Sequence, residues 1–345
     1  MLPYFGDNMS REYVTKVFVE NTSYRPFAYP WAVASEKKQR VDMHWHEVQV
    51  DLADDLRQYM TPGGMATKNV SHESNKNMLN KLLMLFTEMD SAVGTGYTTI
   101  LPFVKNNEIR TCWMTQTGRE VTHQRAYALA AETFGFTNEE WGQFHTYAEM
   151  QEEIHLMLEC VGDLSLPLNV NKKLCVIFMG EGIALFGAFA CLLNLKRFGI
   201  MMNFNSVNEW SLKDEQEHVK FNMQVFNEVR KELSETENNE LDKFVRQVVK
   251  AYCAAEHRFI DLVFEMGDQE GMTKEQLKDY IDYLGELRLY QLGLLTVEEV
   301  RKNPLPWIDY ILSGSNHTNF FENRVTEYSH GGLIGEVDYS AFAKM

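Results

Sequence analysis

Basic residues are few in this sequence and never form a run. Its 345 residues include 33 Lys and Arg against 49 Asp and Glu, which gives a formal net charge of -16 at pH 7. Proteins that bind nucleic acid or anionic membrane surfaces concentrate positive charge on one face. The charge balance therefore argues against both, and we expect no nucleic acid and no membrane among the partners.

Cysteine is also scarce and follows no disulfide or zinc pattern. The five cysteines are odd in number, and no two form a Cys-x-x-Cys motif. This argues against a disulfide framework or a zinc knuckle and predicts reduced, buried thiols. The N-terminal stretch MLPYFGDNMSREYV has no apolar core of the kind found in a secretory signal. We therefore expect a cytoplasmic protein.

Strand patterns and nucleotide-binding fingerprints are nearly absent. TTILPFV is the best candidate for a strand, and VGTGYTT lacks a full phosphate-binding motif. Helix starts with capping-box spacing recur instead, so we predict an all-α fold of long helices joined by short turns. The capping pairs are Thr137 with Glu140, Ser206 with Glu209, Ser234 with Glu237, Thr273 with Gln276 and Thr296 with Glu299.

One long apolar run is present, CVIFMGEGIALFGAFACLL, but an acidic residue and several glycines interrupt it. Its length approaches that of a membrane span. A buried central helix explains the run better, because Glu181 requires a charged partner or a metal ion when it is removed from water.

Four Glu-x-x-His pairs occur, whereas about one is expected by chance from ten histidines. On a helix these positions lie about 60° apart on one face, so both side chains can reach one ion. Glu120 and His123 lie in TGREVTHQRAYALAAETFG, a predicted helix that ends before Gly135. Glu215 and His218 form the second useful pair.

The other two pairs are not interpreted as metal ligands. Glu327 and His330 lie beside two glycines, in a stretch that is not predicted to be helical. Glu152 and His155 lie in EMQEEIHLMLE, where neighbouring acids indicate a solvated helix face.

Two further carboxylates complete a ligand set with four carboxylates and two imidazoles, which suits two metal ions per chain. Asp90 ends the apolar periodic run MLNKLLMLFTEMD, and Glu181 lies in the apolar run described above. Mixed oxygen and imidazole ligation favours iron or manganese over structural zinc or calcium. We expect a di-iron site, with dimanganese or a mixed Mn/Fe pair as alternatives. The predicted ligands are Asp90, Glu120, His123, Glu181, Glu215 and His218.

Taken together, these motifs resemble the radical-generating small (β) subunit of class I ribonucleotide reductase over nearly the whole chain. The E-x-x-H-x-x-x-Y motif of Glu120, His123 and Tyr127 and the sequence DEQEH at 214–218 carry the resemblance. KNPLPW at 302–307 and NFFENRVTEYS at 319–329 resemble the C-terminal signatures of that family.

The resemblance implies a fold and a division of the chain. It implies a ferritin-like helical bundle with additional helices and a flexible C-terminal tail, with a helical domain over 1–325 and a tail over 326–345. One ion would be held by Asp90, Glu120 and His123, and the other by the remaining three ligands, with some carboxylates bridging. The expected partners are a second copy of the chain in a homodimer, dioxygen, and the large (α) subunit, which would bind the tail.

The resemblance also implies a path for a radical. Tyr127 would store it, and Trp45 with Asp214 would carry it outward. Tyr328 in the tail would pass it to the large subunit, with Tyr339 as the alternative. The predicted catalytic residues are therefore Tyr127, Trp45, Asp214 and Tyr328.

Two other functions fit the same ligands. A ferritin-like di-metal oxygenase or oxidase would act on an organic substrate bound beside the ions, but it would not need the tail signatures. A non-enzymatic iron storage protein is usually shorter and has no use for the tryptophan, tyrosine and tail constellation.

Overall fold

The computed structural model describes residues 12–21 and 23–311, and every extended regular element in these ranges is helical. The one β contact within them is an isolated bridge between Gln269 and Met272. The all-α prediction is therefore confirmed. The α-helices are α1 Pro30–Lys37, α2 Ala53–Met60, α3 His72–Ile100, α4 Asn107–Thr133, α5 Asn138–Gly142, α6 Ala148–Leu158, α7 Pro167–Met179, α8 Leu185–Arg197, α9 Phe204–Arg230, α10 Glu235–Val263 and α11 Lys274–Gln291.

Four of the five predicted capping boxes are present in the structure. One prediction is wrong: α9 begins at Phe204, so Ser206 lies inside its first turn and Glu209 bonds instead to Lys196, with 2.5 Å between Oε1 and Nζ. The other predicted capping boxes are present, before α5, α10, α11 and a short 3-10 turn, at Thr137, Ser234, Thr273 and Thr296.

TTILPFV, the best strand candidate in the sequence, is not a strand, because α3 continues through its first three residues to Ile100. Thr99 donates a hydrogen bond from its hydroxyl to the Thr95 carbonyl oxygen at 2.8 Å, and Thr98 donates to the same oxygen at 2.9 Å. Such local bonds let β-branched residues remain in a helix. The alternation of apolar residues here reflects the inner face of the last helical turn.

The long apolar run forms the central rod of the fold, as predicted. α7 and α8 are joined without a break by a π-helical turn over Gly180–Ala184. The segment Pro167–Arg197 is long and apolar enough to cross a membrane, but its most apolar stretch is 100% buried inside the protein. A Cβ atom at Gly96 would lie 2.9 Å from Cγ1 of Ile177, so this glycine lets α3 approach α7 closely.

The predicted ligands lie on four helical elements, α3, α4, the π-helical turn and α9. α3 packs along α4, α7 packs along α9, and the π-helical turn contacts both α9 and α10. The additional helices lie around this bundle, with α10 packed against α6, α7 and α11.

The chain divides into two compact units, Met1–Leu305 and Pro306–Met345. In the second unit, residues 306–311 are helical. The predicted boundary between 325 and 326 lies outside the described residues.

The acidic face predicted for α6 is only partly solvated. Glu152 pairs with Arg258 near the surface, with 2.5 Å between Oε1 and Nη2, and His155 is exposed. The neighbouring Glu153 is fully buried, as is Glu256 on α10. Burial raises the pKa of Glu153 to about 8 and the pKa of Glu256 well above its ordinary value, where the Glu153 charge adds to the shift. The prediction of a wholly solvated face is therefore wrong at Glu153, because α10 covers it.

Candidate metal centre

Six acidic and imidazole side chains meet inside the bundle, and none is more than 2% exposed. Their donor atoms form two groups, and within each group all atoms lie within 4.8 Å of one another. Glu120 and Glu215 belong to both groups, which is the arrangement expected of carboxylates that bridge two ions. The six are Asp90 on α3, Glu120 and His123 on α4, Glu181 on the π-helical turn, and Glu215 and His218 on α9.

Both imidazoles point Nδ1 at the shared carboxylates. His123 Nδ1 lies 3.0 Å from Glu215 Oε1 and 3.5 Å from Glu120 Oε2. His218 Nδ1 lies 3.0 Å from Glu120 Oε1, 3.2 Å from Glu215 Oε2 and 3.3 Å from Glu181 Oε1. Each group therefore offers carboxylate oxygens together with one imidazole nitrogen.

The chemistry of these donors fits a pair of divalent transition-metal ions. Among the described residues, Asp90 Oδ2 has no hydrogen-bond partner, and the oxygens of Glu120 and Oε1 of Glu215 face only the imidazole nitrogens. Burial raises the pKa of Asp90 well above its ordinary value and that of Glu181 to about 7. Buried carboxylates of this kind need a compensating cation. The four carboxylates balance the charge of two divalent ions, and oxygen with imidazole ligation suits iron or manganese.

A hydrogen-bonded chain leads from the centre to Trp45. Asp214 Oδ2 lies 3.0 Å from His123 Nε2 and accepts a hydrogen bond from Trp45 Nε1 at 2.9 Å. Arg119 donates to the same oxygen from Nη2 at 2.7 Å and to the Trp45 carbonyl oxygen at 3.1 Å. The structure thus brings Trp45 and Asp214 into contact with a predicted ligand.

Asp214 also determines which nitrogen of His123 carries a proton. Burial opposes ionisation of Asp214, but the hydrogen bond with His123 and the charge of Arg119 outweigh it and lower the pKa of the carboxyl. An ionised carboxylate only accepts hydrogen bonds. Nε2 of His123 therefore donates, so Nδ1 is the nitrogen that would bind an ion, as in other metal sites where a carboxylate orients a histidine ligand.

Tyr127 is fully buried one helical turn after His123. Its ring stacks on Phe86, with centroids 4.2 Å apart and planes 7° apart, and meets Phe204 edge-on at 5.8 Å. Burial, followed by the charge of Asp90, raises the pKa of the Tyr127 hydroxyl well above its ordinary value. The side chain thus packs against two aromatic rings and is shielded from solvent.

Several polar residues at the site were missed by the sequence predictions. Arg119 is one, and Tyr97 and Asn222 are others: Tyr97 donates its hydroxyl to Glu181 Oε1 at 2.5 Å, and Asn222 donates from Nδ2 to the Tyr97 oxygen at 2.6 Å. Each of the three lies at a helical spacing from a predicted ligand, and this spacing could have identified it from the sequence. Arg119 lies four positions before His123, Tyr97 seven after Asp90, and Asn222 four after His218, so each shares a helix face with a ligand.

The remaining predicted positions do not join the cluster. Glu152 and His155 belong to neither donor group, in agreement with their exclusion on sequence grounds. Tyr328, its alternative Tyr339, and the pair Glu327 and His330 lie outside the described residues.

Comparison with known sequences agrees with this geometry. The sequence profile of the family described as "Ribonucleotide reductase, small chain" matches residues 21–304. The chain is similar to the probable ribonucleoside-diphosphate reductase small subunit 048L of Invertebrate iridescent virus 3. The two are 29% identical over 339 residues, which cover 93% of this chain and 88% of the relative.

Solved structures share the fold. A putative class I ribonucleotide reductase from Bacillus halodurans superposes with a TM-score of 0.73 and 19% identity, covering 81% of this chain and 99% of that one. The dimanganese(II)-NrdF of Streptococcus sanguinis superposes with a TM-score of 0.67 and 15% identity, covering 83% of this chain and 98% of the other. At these identities the likeness establishes the helical architecture alone.

Proposed function

The chain belongs to the ribonucleotide reductase small-chain family, and we propose that its buried cluster is the metal centre that generates a radical for ribonucleotide reduction on a separate large subunit. The activity is that of ribonucleoside-diphosphate reductase, an oxidoreductase, of which this chain is the small subunit. One observation carries the proposed mechanism: two donor groups share Glu120 and Glu215 and lie one helical turn from the buried Tyr127.

We assign two ions to the cluster, and iron is the metal that we favour. Dimanganese and mixed Mn/Fe pairs use the same kinds of donor, and the Streptococcus sanguinis relative is described as a dimanganese(II) protein. When bound, the metal pair supplies the redox chemistry that activates dioxygen and oxidises a nearby side chain. We propose that Asp90, Glu120 and His123 hold one ion and that Glu181, Glu215 and His218 hold the other.

Tyr127 is the side chain that we propose is oxidised. Burial between Phe86 and Phe204 keeps water and soluble reductants away from its ring. The raised pKa of the hydroxyl holds the proton on Oη until the ring loses an electron. A tyrosine in this environment is suited to storing an oxidising equivalent for long periods.

Trp45 and Asp214 are proposed to carry the oxidising equivalent away from the centre. The contacts that support this are the hydrogen bonds of Asp214 Oδ2 with Trp45 Nε1 and His123 Nε2. Arg119 keeps Asp214 ionised and oriented, so the indole N–H has a fixed acceptor for its proton. Proton and electron movements at Trp45 are then coupled through one carboxylate oxygen.

Delivery to the large subunit is assigned to the tail, 326–345, with Tyr328 as the relay residue and 1–325 as the helical domain. The support for this step is the sequence resemblance at 319–329. We also place the protein in the cytoplasm, which its acidic composition and its cysteine pattern support.

We propose that the functional chain is a homodimer. α4 carries an exposed apolar strip on its outer face, with Met114 52% and Val121 45% exposed and Gly118 between them. Spacings of four and three residues place these three on one side of the helix, and no side chain lies within 4 Å of a Cβ built on Gly118. A second copy of the same helix, packed across the small residue, would cover the strip.

Metal analysis combined with electron paramagnetic resonance tests the proposal. Protein matured in air with iron or manganese is expected to hold two ions per chain and to give a tyrosyl radical signal that Tyr127→Phe removes. Glu215→Ala should reduce the stoichiometry to one ion or fewer, whereas the exposed Glu298→Gln control should retain two. A wild-type chain that holds fewer than two ions would contradict the proposal.

A further inference from the structure

Glu181 differs from the other predicted ligands because a tyrosine and an asparagine hold its carboxylate. Tyr97 donates to Glu181 Oε1 at 2.5 Å, and Asn222 Nδ2 lies 2.6 Å from the Tyr97 oxygen and 3.4 Å from Glu181 Oε2. We propose that Tyr97 and Asn222 are positioning residues that fix Glu181 for the ion on its side of the centre. We call this pair the Glu181 clamp. The inference rests on the proposed dinuclear site.

The indole N–H of Trp113 determines which group donates in each hydrogen bond of the clamp. Trp113 donates from Nε1 to Asn222 Oδ1 at 2.8 Å, and an indole N–H can only donate. The Asn222 amide oxygen therefore faces Trp113, and the amide NH2 faces Tyr97. Because the Tyr97 oxygen accepts from that NH2, its own proton is directed to Glu181.

Packing holds the clamp in place. Tyr97, Trp113, Asn222 and Glu181 are each fully buried, so water cannot replace a hydrogen bond that is lost. The close approach of α3 to α7 at Gly96 brings Tyr97 within reach of the π-helical turn that carries Glu181. A short bond from a hydroxyl to a carboxylate in such surroundings is charge-assisted and strong.

The clamp acts on one side of the centre only. Glu181 belongs to the group that contains His218, whereas Asp90 completes the group that contains His123. Among the described residues, Asp90 Oδ2 has no hydrogen-bond partner. Loss of the clamp should therefore weaken the binding of one ion and leave the other nearly unchanged. Residues that orient a metal ligand typically change its affinity by about 10- to 100-fold when they are replaced.

Titration of the metal-free full-length protein with Mn(II) under anaerobic conditions tests the inference without turnover. The paramagnetic resonance signal of free Mn(II) gives the number of ions bound and the two dissociation constants. In Tyr97→Phe, one constant should rise by about tenfold or more, and the spectrum of the ion bound last should change. Tyr59→Phe is the matched control, because it removes another buried hydroxyl, bonded to Asn80 at 2.9 Å, that contacts no predicted ligand.

A second variant separates the clamp from simple electrostatics. Asn222→Asp adds a negative charge near the centre, which by charge alone should tighten Mn(II) binding. The new carboxylate cannot donate to Tyr97 and competes with Glu181 for the hydroxyl proton, so the clamp predicts weaker binding of the same single ion. Circular dichroism and thermal melting of both variants verify that they are folded.

Each outcome of the titration has a defined meaning. Two unchanged constants in Tyr97→Phe, equal weakening of both ions, or equal weakening in Tyr59→Phe would overturn the clamp while leaving the dinuclear site intact. Tighter binding in Asn222→Asp would also overturn it. A wild-type chain that binds fewer than two Mn(II) ions would overturn the proposed metal centre itself, and the inference with it.

Discussion

The Trp45 indole lies parallel to the His123 imidazole, with ring centroids 5.6 Å apart and planes 10° apart. Both rings hydrogen-bond to the same Oδ2 of Asp214. In the radical path proposed above, the short distance between the rings would favour electron transfer between them, and the shared carboxylate would couple that transfer to the position of a proton. Trp45 is also 4% exposed, so the route begins inside the protein.

Replacement of Trp45 tests this route. Trp45→Phe keeps an aromatic ring but removes the N–H that bonds to Asp214, so ribonucleotide reduction with the large subunit should fall by roughly a hundredfold, the scale of losing a positioned proton-transfer group. Metal content and the Tyr127 radical signal should remain. Trp210→Phe is the matched control, because the Trp210 ring centroid lies 5.5 Å from that of Trp45 but Trp210 is not part of the proposed path through Asp214. Similar losses in both variants would indicate a packing effect.

Storage and delivery of the radical should be separable by truncation. Removal of residues 326–345 is expected to leave the metal content and the Tyr127 radical intact and to abolish reduction with the large subunit. Tyr328→Phe should bind the large subunit normally and lose turnover, because the phenol proton is needed for reversible oxidation but contributes little to docking. Full activity in Tyr328→Phe with loss in Tyr339→Phe would move the relay to Tyr339. Full activity in both would exclude the tail pathway.

The buried pair Glu153 and Glu256 predicts an unusual pH dependence of stability. Both pKa values are raised in the folded state, to about 8 for Glu153, whereas a glutamate in an unfolded chain has a pKa of about 4.3. The folded state therefore binds protons more tightly than the unfolded state. Its stability falls as the pH rises from the pKa of the unfolded glutamates through the pKa values of the folded protein. Glu256→Gln removes one titrating group and should raise Tm at pH 8 by about 1–2 °C, the shift that roughly 1 kcal/mol produces in a chain of 345 residues.

The control for this pair is Glu298→Gln, at an exposed glutamate. Its Tm should match the wild type at every pH. The gain in Glu256→Gln should shrink as the pH falls toward 5, where the folded carboxyls are protonated in both proteins. A gain in Tm that is independent of pH would show that the packing of the new side chain, and not the loss of a titrating group, is responsible.

The apolar strip on α4 predicts the oligomeric state. The wild type should sediment as a dimer of the 40.1 kDa chain, and Met114→Glu should shift the equilibrium toward monomer, because it places a charge in a face that loses contact with water. Val48→Glu is the control, since Val48 is 76% exposed and lies outside α4. A wild-type monomer at micromolar concentration would contradict the homodimer.

The ligand cluster was predictable because helical spacing encodes it locally. Glu120 with His123 and Glu215 with His218 share a helix face whatever the tertiary structure, and the apolar run around Glu181 already indicated a buried carboxylate. The helical class followed from capping residues for the same reason: Thr137, Ser234 and Thr273 cap the backbone of their own helix.

Features that depend on a second helix were missed. Arg119 and Tyr97 look like ordinary helix residues until α9 and the π-helical turn supply Asp214 and Glu181 as partners. Glu153 looks like a surface acid until α10 covers it. The strand-like pattern of TTILPFV misleads in a related way, because an alternating pattern over so few residues is also compatible with a helix whose inner face contacts a neighbour.

The π-helical turn over Gly180–Ala184 changes the direction in which side chains of α8 point relative to those of α7. A helix advances about 100° per residue, and a π turn adds one residue without adding a turn. Side chains on α7 and α8 are therefore out of phase with each other although the rod is continuous, and Arg288 donates from Nε to the Gly182 carbonyl oxygen at 3.2 Å within the turn. Deleting one residue other than Glu181 here would restore an ordinary helix and leave α8 facing its present neighbours, whereas a deletion within α7 or α8 would rotate one half of the rod by about 100° against the other. A one-residue deletion should therefore be tolerated better at this turn than in either flanking helix, where it would turn the apolar face of α8 toward the wrong neighbours.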